Sequence, residues 1–196
     1  MRIGKSIIFW VAATLFLIGI VLRHFFFQEA FVPKDFTDAR QNSVNVAHTI
    51  NRLSTDSLID LSRIAQMDRE GKDLEALQLV EKALENNRQA REAAVRLYSS
   101  LQVMSKNLEF ISPWRARNIA TEALSYQIGL INHLIVYHDF LNQLFQVLEE
   151  KFHTGKNSDT QITFLINRIN DAVDAITLLN KKFNDAMLKL DRIITK

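Results

Sequence analysis

Residues 159–194 read DTQITFLINRINDAVDAITLLNKKFNDAMLKLDRII. Apolar or small side chains stand at Ile162, Ile169, Ile176, Phe183 and Leu190, and between them at Leu165, Ala172, Leu179, Ala186 and Ile193. The steps alternate between four and three residues without a break, so these side chains all fall on one face of an α-helix. Ile166, Val173, Met187 and Ile194 widen that stripe along one flank. A stripe of this width suits a multi-helix bundle with coiled-coil-like packing better than a two-stranded zipper.

The helix expected before it, over 113–152, is wider still. One seam runs through Ala120, Leu124, Gln127, Ile131, Leu134, His138, Leu141, Phe145, Leu148 and Phe152. A second apolar strip comprises Leu130, Tyr137, Phe140, Leu144 and Val147. Such a helix is either the most buried member of the bundle or the carrier of an association surface, and Tyr137, Phe140 and Leu144 form the candidate interaction strip. Further back, Ala76, Val80, Ala83, Asn87, Ala90, Ala94, Leu97 and Leu101 give a seam of small residues that permits close helix approach. The first helix is the least apolar, with Ala47, Ile50, Leu53, Leu58, Leu61 and Ile64 around a polar stretch from Ser54 to Ser57.

Chain breakers divide these helices. Pro33, Gly71, Pro113 and Gly155 punctuate long breaker-free stretches, and only Gly129 interrupts one of them. Helices are therefore expected near 38–69, 73–107, 113–152 and 159–194. Gly71 and Gly155 sit where a helix end needs left-handed backbone. Ser112 with Pro113, and Asp159, suit helix starts. Trp114 is expected to pack against the bundle end. Short connections make neighbours antiparallel, so the expected fold is all-α, an up-down-up-down bundle over 38–196. A body of that length buries a single core without disulfides. Five glycines and two prolines in 196 residues also argue against a turn-rich β or α/β fold.

Two resemblances bear on the body. Residues 71–101, GKDLEALQLVEKALENNRQAREAAVRLYSSL, resemble the second helix of a tetratricopeptide repeat followed by the start of the next, through Ala76, Val80, Ala83 and Leu84. Arg88 replaces the usual proline, and one repeat length upstream Asp60 and Arg63 stand where apolar or aromatic residues belong. Read alternatively as a binding or sensory bundle, the body resembles chemoreceptor-type four-helix periplasmic domains. Those return through a second membrane helix to a signalling domain, and no second apolar span occurs in this sequence.

At the other end, Ser6 to Leu22 (SIIFWVAATLFLIGIVL) carry no charge. Such a run is just long enough to cross a bilayer as a helix. Arg23 can snorkel, and Phe25, Phe26 and Phe27 resume the apolar character at an interfacial position. A cleaved signal peptide would show a small-x-small site, and RHFFFQEAFVP follows instead. Residues 1–27 are thus expected to be a transmembrane signal anchor and 28–37 a juxtamembrane linker. Arg2 and Lys5 before the span favour a cytoplasmic N-terminus and an extracytoplasmic body, with Arg23 and Lys34 after it weakening the bias.

Charge and composition limit the chemistry. Residues 1–35 hold Arg2, Lys5, Arg23 and Lys34 against Glu29 and Asp35, and the remainder is balanced, so the formal charge of +2 is not a nucleic-acid footprint. No cysteine is present, which removes thiolate nucleophiles, disulfides and cysteine metal sites. The glycines are too dispersed for a phosphate loop. His24, His48, His133, His138 and His153 include no i, i+3 or i, i+4 pair. Glu150 and His153 make a single Glu-x-x-His at a helix end, where di-iron bundles use two. Arg115 and Arg117 beside Trp114 read as a solvated first turn. Asn87, Gln127 and His138 interrupt apolar seams, and they form the candidate polar core layer. A hairpin about residue 109 would bring Asn87 and Gln127 within about one turn of each other.

These residues predict a single-pass, membrane-anchored helical-bundle scaffold or assembly protein. It would act through protein–protein contacts or as a homo-oligomer, with no cofactor, metal, nucleic acid or small-molecule substrate, and not as an enzyme. The alternative is an extracytoplasmic ligand-binding or sensory bundle.

Overall fold

The computed structural model describes residues 30–155 and 158–195. Four helices follow one another: α1 Lys34–Glu70, α2 Asp73–Lys106, α3 Trp114–Thr154 and α4 Asp159–Ile194, with a 3-10 turn Leu108–Phe110 between α2 and α3. The described residues form no strand beyond an isolated antiparallel bridge between Phe31 and Ser112. None of the described helices is long and apolar enough to cross a membrane. The expected anchor, residues 1–27, lies outside the described residues.

Local chemistry explains the helix ends. Gly71 (φ 68°) closes α1 in the left-handed conformation, with Lys72 N–H donating to the Met67 carbonyl at 2.9 Å and Gly71 N–H to Asp68 at 3.2 Å. That pair of bonds is a Schellman end. Gly155 (φ 67°) ends α3 with a single bond to the Lys151 carbonyl at 2.8 Å. α1 starts before the expected residue 38 because the Pro33 carbonyl accepts from the Phe36 and Thr37 amides and Phe36 is buried. Prolines occupy the residue before both α1 and α3, and Ser158 rather than Asp159 precedes α4.

Side-chain pairs fix the packing. Asp60 with Lys82 and Asn42 with Ser100 set the antiparallel register of α1 and α2. Gly129 against Leu179, the Tyr126 ring under Lys182 and the Phe140 ring under Arg168 share one register of α3 and α4, which brings Trp114 level with Ile194. Close backbone approach joins consecutive helices, and α2 permits it by burying Ala76, Ala83, Ala90, Ala93 and Ala94 completely. α1 and α4 meet instead through long side chains, where Arg40 grips the Asp191 carboxylate with two bonds of 2.6 and 2.9 Å.

Two apolar clusters make the core. One surrounds Phe36, Leu97, Met104, Ile131, Met187 and Leu190 at the end where α1 and α3 begin. The other surrounds Ile64, Val80, Leu144, Phe145, Leu165 and Ile169 towards Gly71 and Gly155. α2 runs unbroken past Arg88, which bonds Glu85 and Glu92 on its own helix. The resemblance to a tetratricopeptide repeat is therefore that of an alanine-rich amphipathic helix and not of a repeat boundary.

Candidate functional site

Of the polar residues of the seams, Asn87 and His138 occupy the region between the two clusters. Asn87 lies one helical turn from Ala83 and Ala90, small neighbours that let α2 reach α3 at this level. Its amide nitrogen donates to the His138 backbone carbonyl at 2.8 Å, which leaves the amide oxygen to accept from His138 Nδ1 at 2.7 Å. This reciprocal pair assigns the imidazole proton to Nδ1. Both residues are buried. Nε2 of His138 meets no hydrogen-bonding group among the described residues. Tyr137 stands edge-on to the imidazole with ring centroids 5.0 Å apart. Burial pushes His138 down to about 4; the Asp139 carboxylate opposes that shift and the Arg91 guanidinium adds to it. The ring is therefore neutral at physiological pH. Arg91 and Asp139 pair with each other at 2.7 Å across the same α2–α3 seam.

Gln127 does not join Asn87. It belongs to the first cluster's level, where its amide nitrogen donates to the Ser43 hydroxyl at 3.3 Å and Ser43 donates to the Ala39 carbonyl at 3.1 Å. Its amide oxygen meets no hydrogen-bonding group among the described residues. The connection between α2 and α3 explains the separation: the 3-10 turn and the extended Ile111–Pro113 segment displace α3 from a simple hairpin about residue 109. Tyr98 on α2 accordingly donates to Asn132 on α3.

Sequence reasoning missed one buried charge. The Asp60 carboxylate is 1 % exposed and accepts two bonds from Lys82, at 2.9 and 3.1 Å. Its signal was the misfit of an acid on the apolar face of α1, one turn from Ile64. Ser57, also buried, turns its hydroxyl back to the Leu53 carbonyl at 3.0 Å. In the α1–α2 register Asn87 is level with residue 55, so Ser57 lies within one turn of it and Asp60 further towards Gly71, and all three consecutive helices contribute polar groups to the middle of the bundle.

The interaction strip needs correction. Tyr137 and Leu144 are buried, and Phe140 is half-buried with the Arg168 guanidinium 5.2 Å above its ring. This strip faces α4, packing Tyr137 and Leu144 with Leu165, Ile169 and Ala172. A helix gripped by neighbours on both sides needs a wide apolar stripe, so the surplus is core. Trp114 also departs from expectation: it is 63 % exposed at the bundle end.

The apolar surface that remains open lies elsewhere. Between the C-terminal half of α2 and the N-terminal half of α3 runs a groove of about 630 Å³. Tyr98, Leu101, Leu108, Leu124 and Ile128 supply its apolar lining; Ser105, Thr121 and Ser125 add hydroxyls, and Lys106 is its charged member. Ile128 is 44 % exposed there. The described residues hold no group of three side chains placed to bind a metal ion. Neither protein-family models, nor characterised proteins, nor solved structures give a match to this chain.

Proposed function

We propose that this protein is a single-pass, membrane-anchored scaffold or assembly factor whose four-helix body holds a protein partner, or a second copy, in the α2–α3 groove. The observation that carries it is the groove's lining: an apolar floor with hydroxyls on its walls and little charge. Such a surface suits an amphipathic helix laid along it. A binding role is favoured over catalysis because the buried polar groups engage one another, Asn87 with His138 and Asp60 with Lys82. The uncharged run Ser6–Leu22 supports the anchor, with the N-terminus in the cytoplasm and the body outside.

The test is site-specific photo-crosslinking in cells from Gln102 or Ser125, both exposed in the groove's lining, with Asn51 on α1 as the control position. A discrete adduct from the groove positions only, abolished by Ile128→Glu in a body of unchanged melting temperature, is the expected result. Adducts no more frequent than those from Asn51 would rule the groove out. A ligand-binding or sensory role is the second reading, favoured by a volume within the roughly 300–1,000 Å³ range of small-molecule sites. It requires a small ligand that raises the melting temperature of the parent and not of Ile128→Glu.

A further inference from the structure

The end of the bundle where the chain enters carries exposed aromatic side chains grouped around one backbone contact. Phe31 N–H donates to the Ser112 carbonyl and Ser112 N–H to the Phe31 carbonyl, each at 3.0 Å. Phe110 and Trp114 each stand two residues from Ser112. Phe31, Phe110 and Trp114 are 55 %, 58 % and 63 % exposed, so the bridge gathers aromatic side chains that the core does not use. The Arg117 side chain is held at the same place by donating to the Ile111 carbonyl at 3.2 Å.

Charge distinguishes this end from the other. Lys106, Arg115, Arg117 and Arg192 are exposed here, beside the acids Asp35 and Glu109 and the paired Lys34–Asp38 and Arg40–Asp191. The opposite end carries Asp68, Glu70, Asp73, Glu75, Glu149 and Glu150 against Arg69, Lys72 and Lys151. One end is thus aromatic and basic, the other acidic. Aromatic rings and basic side chains together are the composition that settles at the headgroup level of a bilayer.

Distance ties that end to a membrane. The Phe31–Ser112 bridge and the start of α1 at Lys34 reduce the expected linker 28–37 to residues 28–30. Three residues span at most roughly 10 Å. We infer that the Phe31, Phe110 and Trp114 end of the bundle seats in the interface of an anionic bilayer, its rings among the headgroups and Lys106, Arg115 and Arg117 facing lipid phosphates. This inference rests on the proposed anchoring by residues 1–27 and adds a fixed posture: the bundle stands on this end with its acidic end outward.

The full chain with Trp10→Phe keeps Trp114 as its one tryptophan. Reconstituted in vesicles of phosphatidylcholine and phosphatidylglycerol, it is tested for flotation and for quenching of Trp114 by brominated lipid and by aqueous iodide. Flotation with loss of roughly half the Trp114 emission in brominated lipid, relieved by Phe110→Ser, is the expected result. Flotation with quenching by iodide alone overturns the seated posture and leaves the anchor standing. Flotation with neither quencher effective also overturns it, placing the rings against protein, such as a second copy. Failure to float removes the anchor and the posture together.

Discussion

His138 and Asn87 show how one polar pair governs the middle of an apolar bundle. The unfolded imidazole takes up a proton near its ordinary value of 6.5, whereas burial delays that event in the native chain to about 4. Between these values the unfolded chain binds more protons, so native stability is retained above pH 6.5 and lost as the pH falls towards 4. The full loss is roughly 3 kcal/mol. Urea titrations across this window should show the decline, and His138→Gln should flatten it relative to the parent; identical slopes in both proteins would remove His138 as the cause. Asn87→Ala removes the acceptor of His138 Nδ1 and the amide donor to the His138 carbonyl, and should lower stability at neutral pH by about 1–3 kcal/mol in the same assay. Lys82→Met leaves the Asp60 carboxylate buried without its principal cation. Its cost should exceed that of the double replacement Asp60→Met with Lys82→Met, because removing both charges removes the desolvation problem.

At the scale of the helix, two glycines should respond to alanine with opposite signs. Gly71→Ala forces a Cβ into the left-handed conformation at φ 68°, and thermal unfolding should show a loss of about 1 kcal/mol. Gly129 lies within α3, where the atoms nearest to an added Cβ belong to the Leu179 side chain, the first at 3.3 Å. That side chain is half-buried and can give way, so Gly129→Ala should gain up to about 1 kcal/mol from helix propensity. Helix number and ends were legible because glycine and proline act locally: Gly71, Pro113 and Gly155 mark boundaries whatever the tertiary fold. Which apolar strip faces solvent was not legible, since periodicity gives the width of a stripe and not the number of helices against it. Tyr137 and Leu144 were misread for that reason. α1 was misread in the complementary way. Its inner face runs through Ser43, Ser57 and Asp60, with Ala47 and Leu58 outside; the serine hydroxyls turn back to carbonyls of their own helix, and Lys82 on α2 makes the Asp60 position tolerable. Asn87 and His138 were visible as interruptions of apolar seams; their pairing depended on the displacement of α3 by the Leu108–Pro113 connection.

The whole molecule has a direction. Its two apolar clusters are separated by polar groups at mid-height, its groove opens on the α2–α3 face, and its ends differ in charge and aromatic content. Formal charge, summed over the chain, conceals this arrangement. The body is balanced in the sequence and polarised in space, because antiparallel helices bring Lys106, Arg115 and Arg192 to one end and the acids around Gly71 and Glu150 to the other. Under the proposed anchoring, a groove on the side wall and a seated end would hold a bound partner beside the membrane, the geometry a membrane-anchored scaffold requires. The proposed function rests on the first 27 residues holding the body at a bilayer. The most direct measurement is alkaline extraction of membranes from cells expressing the full chain: retention in the membrane pellet is expected, and release into the supernatant with peripheral proteins would contradict the anchored scaffold.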